Sequence, residues 1–275
     1  MDYIEVNITN LKGFDPEIAM AQMAELGFES FSESECAIQG FIREDYYHEK
    51  TITEYLQQKQ EEHDIRYTIQ KIPDQNWNAI WESAYEPVTI AGKCQVRAPF
   101  HKPLTGIQFD IVIEPKMSFG TAHHETTSLM MELLMMEDVK GKRVLDMGCG
   151  TGILAILALK MQAGQVVAVD NDDWAFANAS ENMKKNDAVA VKVIPGGIST
   201  VPLPQYDLIL ANINRNVLLT DIPAYAGFLK HRGILMLSGF YEADLDLIKD
   251  ASAKAGLQYI SHKADNEWVG AKFMK

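Results

Sequence analysis

From Tyr3 to Thr9 apolar and polar residues alternate, Tyr-Ile-Glu-Val-Asn-Ile-Thr, the period of a strand with one buried face. Pro16 to Leu26 carries a helical pattern that Gly27 stops. Cys36 to Ile42 predicts a second strand, Glu49 to His63 an exposed, charge-rich helix, and Ile65 to Ile72 a further strand. This β-α-β, then α-β order predicts a small α+β sandwich over residues 1–75, resembling a ferredoxin-like fold. The segment has no nucleophile–base arrangement and no Gly-rich loop, so its expected work is binding rather than chemistry.

Past Gln75 the pattern changes. Trp77 and Trp81 stand four apart, and Tyr85 continues the stripe, the spacing of an aromatic core face or an interdomain dock. Strands are predicted at Lys93–Ala98 and Gly106–Ile113, so residues 76–116 read as an ordered connector without the Gly/Ser content of a flexible linker. Residues 117–275 then alternate strand and helix. An amphipathic helix is predicted over Ser128–Val139, and strands at Arg143–Asp146, Val166–Asp170, Val189–Ile194, Tyr206–Ile213 and Gly233–Gly239. A helix follows at Glu242–Ala255, and two closing strands, Leu257–His262 and Trp268–Met274, form an expected edge hairpin. The continuous apolar run in Tyr206–Ile213 marks a strand buried on both faces.

Candidate chemistry concentrates after the first of these strands. Asp146 is followed by Gly148, Gly150 and Gly152 at alternate positions, then by an apolar helical run to Leu159. Such glycines let a chain turn sharply from strand to helix and bring backbone close to a ligand. Asp170, at the tip of the next strand, is placed to accept hydrogen bonds from ribose hydroxyls. A dinucleotide fingerprint needs its third glycine at relative position six, where this chain has Ile153. A turn of this shape can still pass close to a ligand that carries no phosphate, and S-adenosylmethionine is such a ligand. Asn212 closes the fourth strand, at the end of the sheet where ligands bind in open α/β folds.

Composition narrows the class further. The 275 residues are 47% hydrophobic and 23% charged, a globular balance, and no apolar run reaches the roughly 18 residues a bilayer span needs. The N-terminus lacks the basic flank and apolar core of a signal peptide, and Cys36, Cys94 and Cys149 have no metal-ligand spacing. A reduced, cytoplasmic protein without disulfides or metal is expected, since His123 and His124 are adjacent and only Glu125 stands beside them. The formal net charge is −13, and residues 1–75 hold 16 Asp/Glu against 6 Lys/Arg. That surface repels a phosphate backbone and attracts basic partners.

Asp-x-Gly-x-Gly-x-Gly resembles motif I of the class I methyltransferases. Joined to Phe119-Gly-Thr-x-x-His-x-Thr-Thr127 upstream, and to a small N-terminal domain, it resembles the PrmA family, the methyltransferases of large-subunit ribosomal protein eleven. The resemblance covers nearly the whole chain. It implies a class I (Rossmann-like) α/β sheet with a small N-terminal α+β domain, and contacts to S-adenosylmethionine from Thr127, Gly148, Gly150, Asp170 and Asn212. It implies methylation of lysines and an N-terminal amine of a basic large-subunit ribosomal protein, with residues 1–75 as the grip. Where the family loop carries a second glycine, this chain has Ala122. After strand four, Asn212-Ile-Asn-Arg lacks the Asn-Pro-Pro-aromatic signature of enzymes acting on planar nitrogens, which favours an aliphatic amine. Asn212, with Phe119 and Thr121, is expected to orient that amine without a dedicated base, His123 and His124 being the rival bases. Three readings stand: the protein-amine methyltransferase; a methyltransferase of another protein or a small-molecule amine; and an NAD-dependent oxidoreductase or nucleoside-binding regulatory module. The first carries the expectation of a monomer, with no direct binding to nucleic acid or membrane.

Overall fold

A computed structural model describes residues 2–11, 13–34, 37–72, 85–116, 119–202 and 205–275. Trp77 and Trp81, with Cys36 and the Met117–Ser118 start of the loop, lie outside the described residues. The chain divides into two compact units, Met1–Tyr85 and Glu86–Lys275.

In the first unit β1 (Tyr3–Thr9) buries Ile4, Val6 and Ile8 on one face, as its alternation requires. Asp15 caps α1 (Pro16–Glu25), with Pro16 in the first turn. Then come β2 (Ser30–Ser34), β3 (Ala37–Arg43), α2 (Glu49–His63) and β4 (Arg66–Ile72). The antiparallel sheet runs β2-β3-β1-β4, the β-α-β-β-α-β ferredoxin-like arrangement. Ala19 and Met23 of α1 and Ile52 and Leu56 of α2 close the core over Ile38 and Ile42. Strand β2 is not predicted by the pattern. Its Ser-Phe-Ser-Glu-Ser has one apolar residue, and it is held at the sheet edge by pairing with β3 alone.

The second unit opens with a small sheet of β5 (Val88–Ile90), β6 (Cys94–Arg97) and β7 (Phe109–Val112). Helix α3 (Glu125–Met135) leads to β8 (Arg143–Met147), α4 (Ile153–Lys160), β9 (Gln165–Asp170), α5 (Asp173–Lys185) and β10 (Lys192–Pro195). Strand β11 (Tyr206–Asn212), α6 (Arg215–Phe228), β12 (Leu229–Tyr241), α7 (Leu245–Lys254), β13 (Gln258–Asp265) and β14 (Trp268–Met274) complete it.

The large sheet runs β10-β9-β8-β11-β12-β14-β13, parallel through β12 and antiparallel at β14 and β13. Alternate residues of β8 face opposite layers. Val144 packs with Met130, Leu154 and Met183 on one side, and Leu145 with Leu218, Ile222 and Ile248 on the other. Chain order reverses between β8 and β11, which opens a crevice at the carboxyl ends of those strands. Helices α5 and α6 have no counterpart in the hydrophobic pattern. The buried face of α5 is Ala175, Asn178, Ala179, Asn182 and Met183, too polar to register as an apolar stripe, and α6 carries Pro223 inside. Both have Asx caps, Asp172 and Asn214, whose side chains accept N–H groups of the first turn.

Candidate active site

The turn from β8 into α4 holds Gly148, Gly150 and Gly152 at φ +65°, +54° and +78°, all left-handed. At Gly150 a side chain is also excluded by space, because an added Cβ would lie 2.4 Å from the carbonyl oxygen of Phe119. At Gly148 the same atom would meet Ile213 Cγ2 at 2.2 Å. These glycines thus make room first for protein, from the loop before α3 and from the residue after β11.

Asp170 ends β9 and grips this turn. One of its carboxylate oxygens accepts the Gly150 N–H at 2.8 Å and the other the Asp172 N–H at 3.0 Å. An ionised carboxylate has about four acceptor sites, so two remain for a ligand. Asp146 lies beneath the turn, fully buried, with one oxygen accepting the Ala155 N–H at 3.1 Å. Burial pushes its carboxyl up to about 7, the Ala155 N–H opposes that, and the charge of Asp170 adds to it. Burial likewise pushes the Cys149 thiol up, so it is not a ready thiolate.

A cleft of about 520 Å³ lies over these groups, lined by Phe119, His124, Gly148, Gly150, Asp170, Trp174, Asn212, Gly239 and Trp268, among others. Its size is that of a small-molecule site. Asn212 donates from Nδ2 to Thr127 Oγ1 at 3.3 Å, while its Oδ1 is buried and without a hydrogen-bond partner among the described residues. Five of the sequence-predicted residues, Phe119, Gly148, Gly150, Asp170 and Asn212, therefore meet at one cleft. Thr127 is completely buried and reaches it through Asn212. Thr121 is not among the lining residues named, and its hydroxyl pairs with His123 Nδ1 at 3.2 Å.

The histidines do different work from one another. His124 is the N-cap of α3, so that helix starts three residues before the predicted Ser128. Its Nδ1 accepts the Thr126 N–H at 3.3 Å and lies 2.9 Å from Thr126 Oγ1. Its ring packs between Phe119 and Trp268, with centroids at 5.2 and 4.8 Å. His123 Nε2 lies 3.0 Å from the Glu86 carbonyl oxygen, which only a donor can satisfy. Ala122 is buried at φ +67°, a conformation glycine adopts without cost. Sequence reasoning missed Trp174 and Trp268 as lining residues. Trp174 stands two residues after the Asp172 cap and is 84% exposed, a signal legible as an aromatic shortly after the β9 acid. Trp268 had no such signal, because His124, against which its ring packs at the cleft, lies far earlier in the sequence.

The model of the family described as ribosomal protein L11 methyltransferase (PrmA) matches residues 9–275. The chain belongs to this family. A ribosomal protein L11 methyltransferase of Porphyromonas gingivalis is 43% identical over 260 residues, covering 94% of this chain and 90% of that protein. One from Phocaeicola vulgatus is 38% identical over 279 residues, covering 100% and 99%. The crystal structure of a ribosomal protein L11 methylase from Lactobacillus delbrueckii subsp. bulgaricus superposes with a TM-score of 0.64 at 29% identity, covering 69% of this chain and 98% of that one. Membership makes the protein an S-adenosylmethionine-dependent methyltransferase and sets aside the oxidoreductase and regulatory readings. Among the described residues no helix is long and apolar enough to cross a membrane.

Proposed function

We propose that the protein methylates amines of ribosomal protein L11, at lysine side chains and the N-terminal amine, with the acidic first 75 residues gripping that basic substrate. Bound S-adenosylmethionine supplies an electrophilic methyl group on its sulfonium. Asp170, Gly148 and Gly150 are the residues that would hold it, with Thr127 supporting from behind Asn212, and the two acceptor sites left on Asp170 fit ribose hydroxyls.

The observation that carries the amine reading is the Oδ1 of Asn212, buried in the cleft wall and unmatched. Leaving such an acceptor unmet costs about 1–3 kcal/mol, and an amine N–H meets it once the amide turns toward the cleft. Asn212 is neutral and orients the nitrogen without taking its proton. That matters because methyl transfer needs a lone pair, and at a pKa near 10.4 only about one lysine in a thousand is neutral at pH 7.4. Desolvation in the cleft pulls the amine's pKa down, and the proton goes to water before transfer. His124 is tied by Nδ1 to the start of α3, and His123 by both ring nitrogens, so neither serves as the base here.

Methyl-labelled S-adenosylmethionine, given to the purified protein with dissociated large-subunit proteins, should label L11. Label in another protein instead would overturn the assignment. Single-turnover rates should climb past pH 8, and His124→Ala should lose less than about tenfold at high pH. A plateau near pH 7 that vanishes with one histidine, with a loss of about 10²–10⁴-fold, would show that a base is used.

A further inference from the structure

We propose that Thr151 is a positioning residue, a latch that fixes the cleft-lining loop at Phe119 to the glycine-rich turn. The inference rests on the proposed amine-methylating function. Thr151 is completely buried although polar. Its N–H donates to the Phe119 carbonyl at 3.0 Å, and its hydroxyl donates to the Gly120 carbonyl. Its own carbonyl accepts from Asn182 Nδ2 at 3.0 Å. Asn182, also fully buried, accepts the Glu114 N–H on its Oδ1 at 2.9 Å. Glu114 and Phe119, five positions apart, are thus tied to one point.

The neighbour of Thr151 gives this point its functional meaning. Gly150 donates to Asp170, the acid assigned to the cofactor, while Thr151 holds Phe119, whose ring is 53% exposed in the cleft and packs on His124. Consecutive residues of one turn therefore hold both the acid and the aromatic that line the cleft. Packing alone does not require a hydroxyl at a buried position, and valine fills nearly the same volume. The hydroxyl is needed because the Gly120 carbonyl would otherwise lose its partner, and the loop would be free to shift relative to the turn. A misplacement on the order of 1 Å at a reacting centre can cost about 10²-fold in rate.

The test compares Thr151→Val with Thr151→Ser in the full chain, measuring S-adenosylhomocysteine affinity by calorimetry and kcat and KM for L11. Valine should leave affinity within about threefold and lower kcat about 10–100-fold, and serine should restore kcat to within about threefold of the parent. Valine at parental kcat, serine as poor as valine, or cofactor affinity falling by the same factor as kcat would each overturn the latch. Gly120→Ala keeps the question open to test if the valine variant does not fold, because its Cβ would lie 2.9 Å from Thr151 Oγ1. It should show the same split, and full kcat would count against the latch. If the parent protein transfers no methyl to L11, the proposed function fails on its own. The latch is then judged by amide exchange at residues 119–124, which should quicken about tenfold in Thr151→Val and overturns the latch if unchanged.

Discussion

Among the described residues no polar or charged residue of the N-terminal unit is buried as a whole, only single atoms such as Asn7 Oδ1 and Arg43 Nε, whereas the C-terminal unit buries Thr126, Thr127, Asp146, Thr151, Asn182 and Ser238 with others. The first unit is held by apolar alternation on one side of a sheet, and no Asp or Glu among its described residues is buried. The second places polar groups where water cannot compete with their partners, so each hydrogen bond is stronger and each missing one more costly. A surface that grips a partner by charge needs only a stable platform beneath it. A site that aligns a small cofactor with a reacting nitrogen needs its groups fixed from below.

The largest effect expected from this contrast is at the turn. Gly150→Ala sets a Cβ 2.4 Å from the Phe119 carbonyl at φ +54°, and methyl transfer should fall by more than about 10³-fold, roughly 4 kcal/mol or more. Activity within tenfold of the parent would show that the turn tolerates movement. In the other unit, Ile8→Ala should cost about 2–5 kcal/mol of stability there, because Ile8 is completely buried between the sheet and its helices. Cofactor affinity measured by calorimetry should be unchanged. A parallel loss of cofactor binding would break the separation between the two kinds of construction.

Asp146 sharpens the contrast through pH. Its carboxyl sits at about 7 when folded against an ordinary 3.8, so between those values the folded state keeps a proton that the unfolded chain has lost. Stability from this group is therefore full below pH 3.8, falls by about 1.4 kcal/mol per unit as pH rises, and levels off above about 7. Asp146→Asn should remove that slope. Chemical denaturation of both proteins at pH 4, 5.5 and 7.5 measures it, and parallel curves would refute the shift. The smallest effect is at Ala122, where Ala122→Gly should stabilise by up to about 1 kcal/mol by relieving φ +67°. A lower Tm in the glycine variant would mean that chain entropy outweighs the strain.

Sequence periodicity and the glycine spacing alone determined the order of the large-sheet strands along the chain, the turn, the acid Asp170 at the tip of β9 and Asn212 at the end of β11. Each of these is written in local spacing: a period of two, a glycine run, an acid at a strand tip. The antiparallel edge hairpin was equally legible. Strands β2 and β5 and helices α5 and α6 were not, because their sequences carry little apolar pattern and neighbours in space supply the stabilisation. The same holds for the site's support. That Thr151 holds Phe119, that Asn182 holds both Thr151 and Glu114, and that Trp268 joins the cleft from the end of the chain are contacts across 31 or more positions. Hydrophobic burial follows a repeat that a linear text can show. A buried hydrogen bond depends on one donor meeting one acceptor at about 3 Å, and only the folded chain brings the two together.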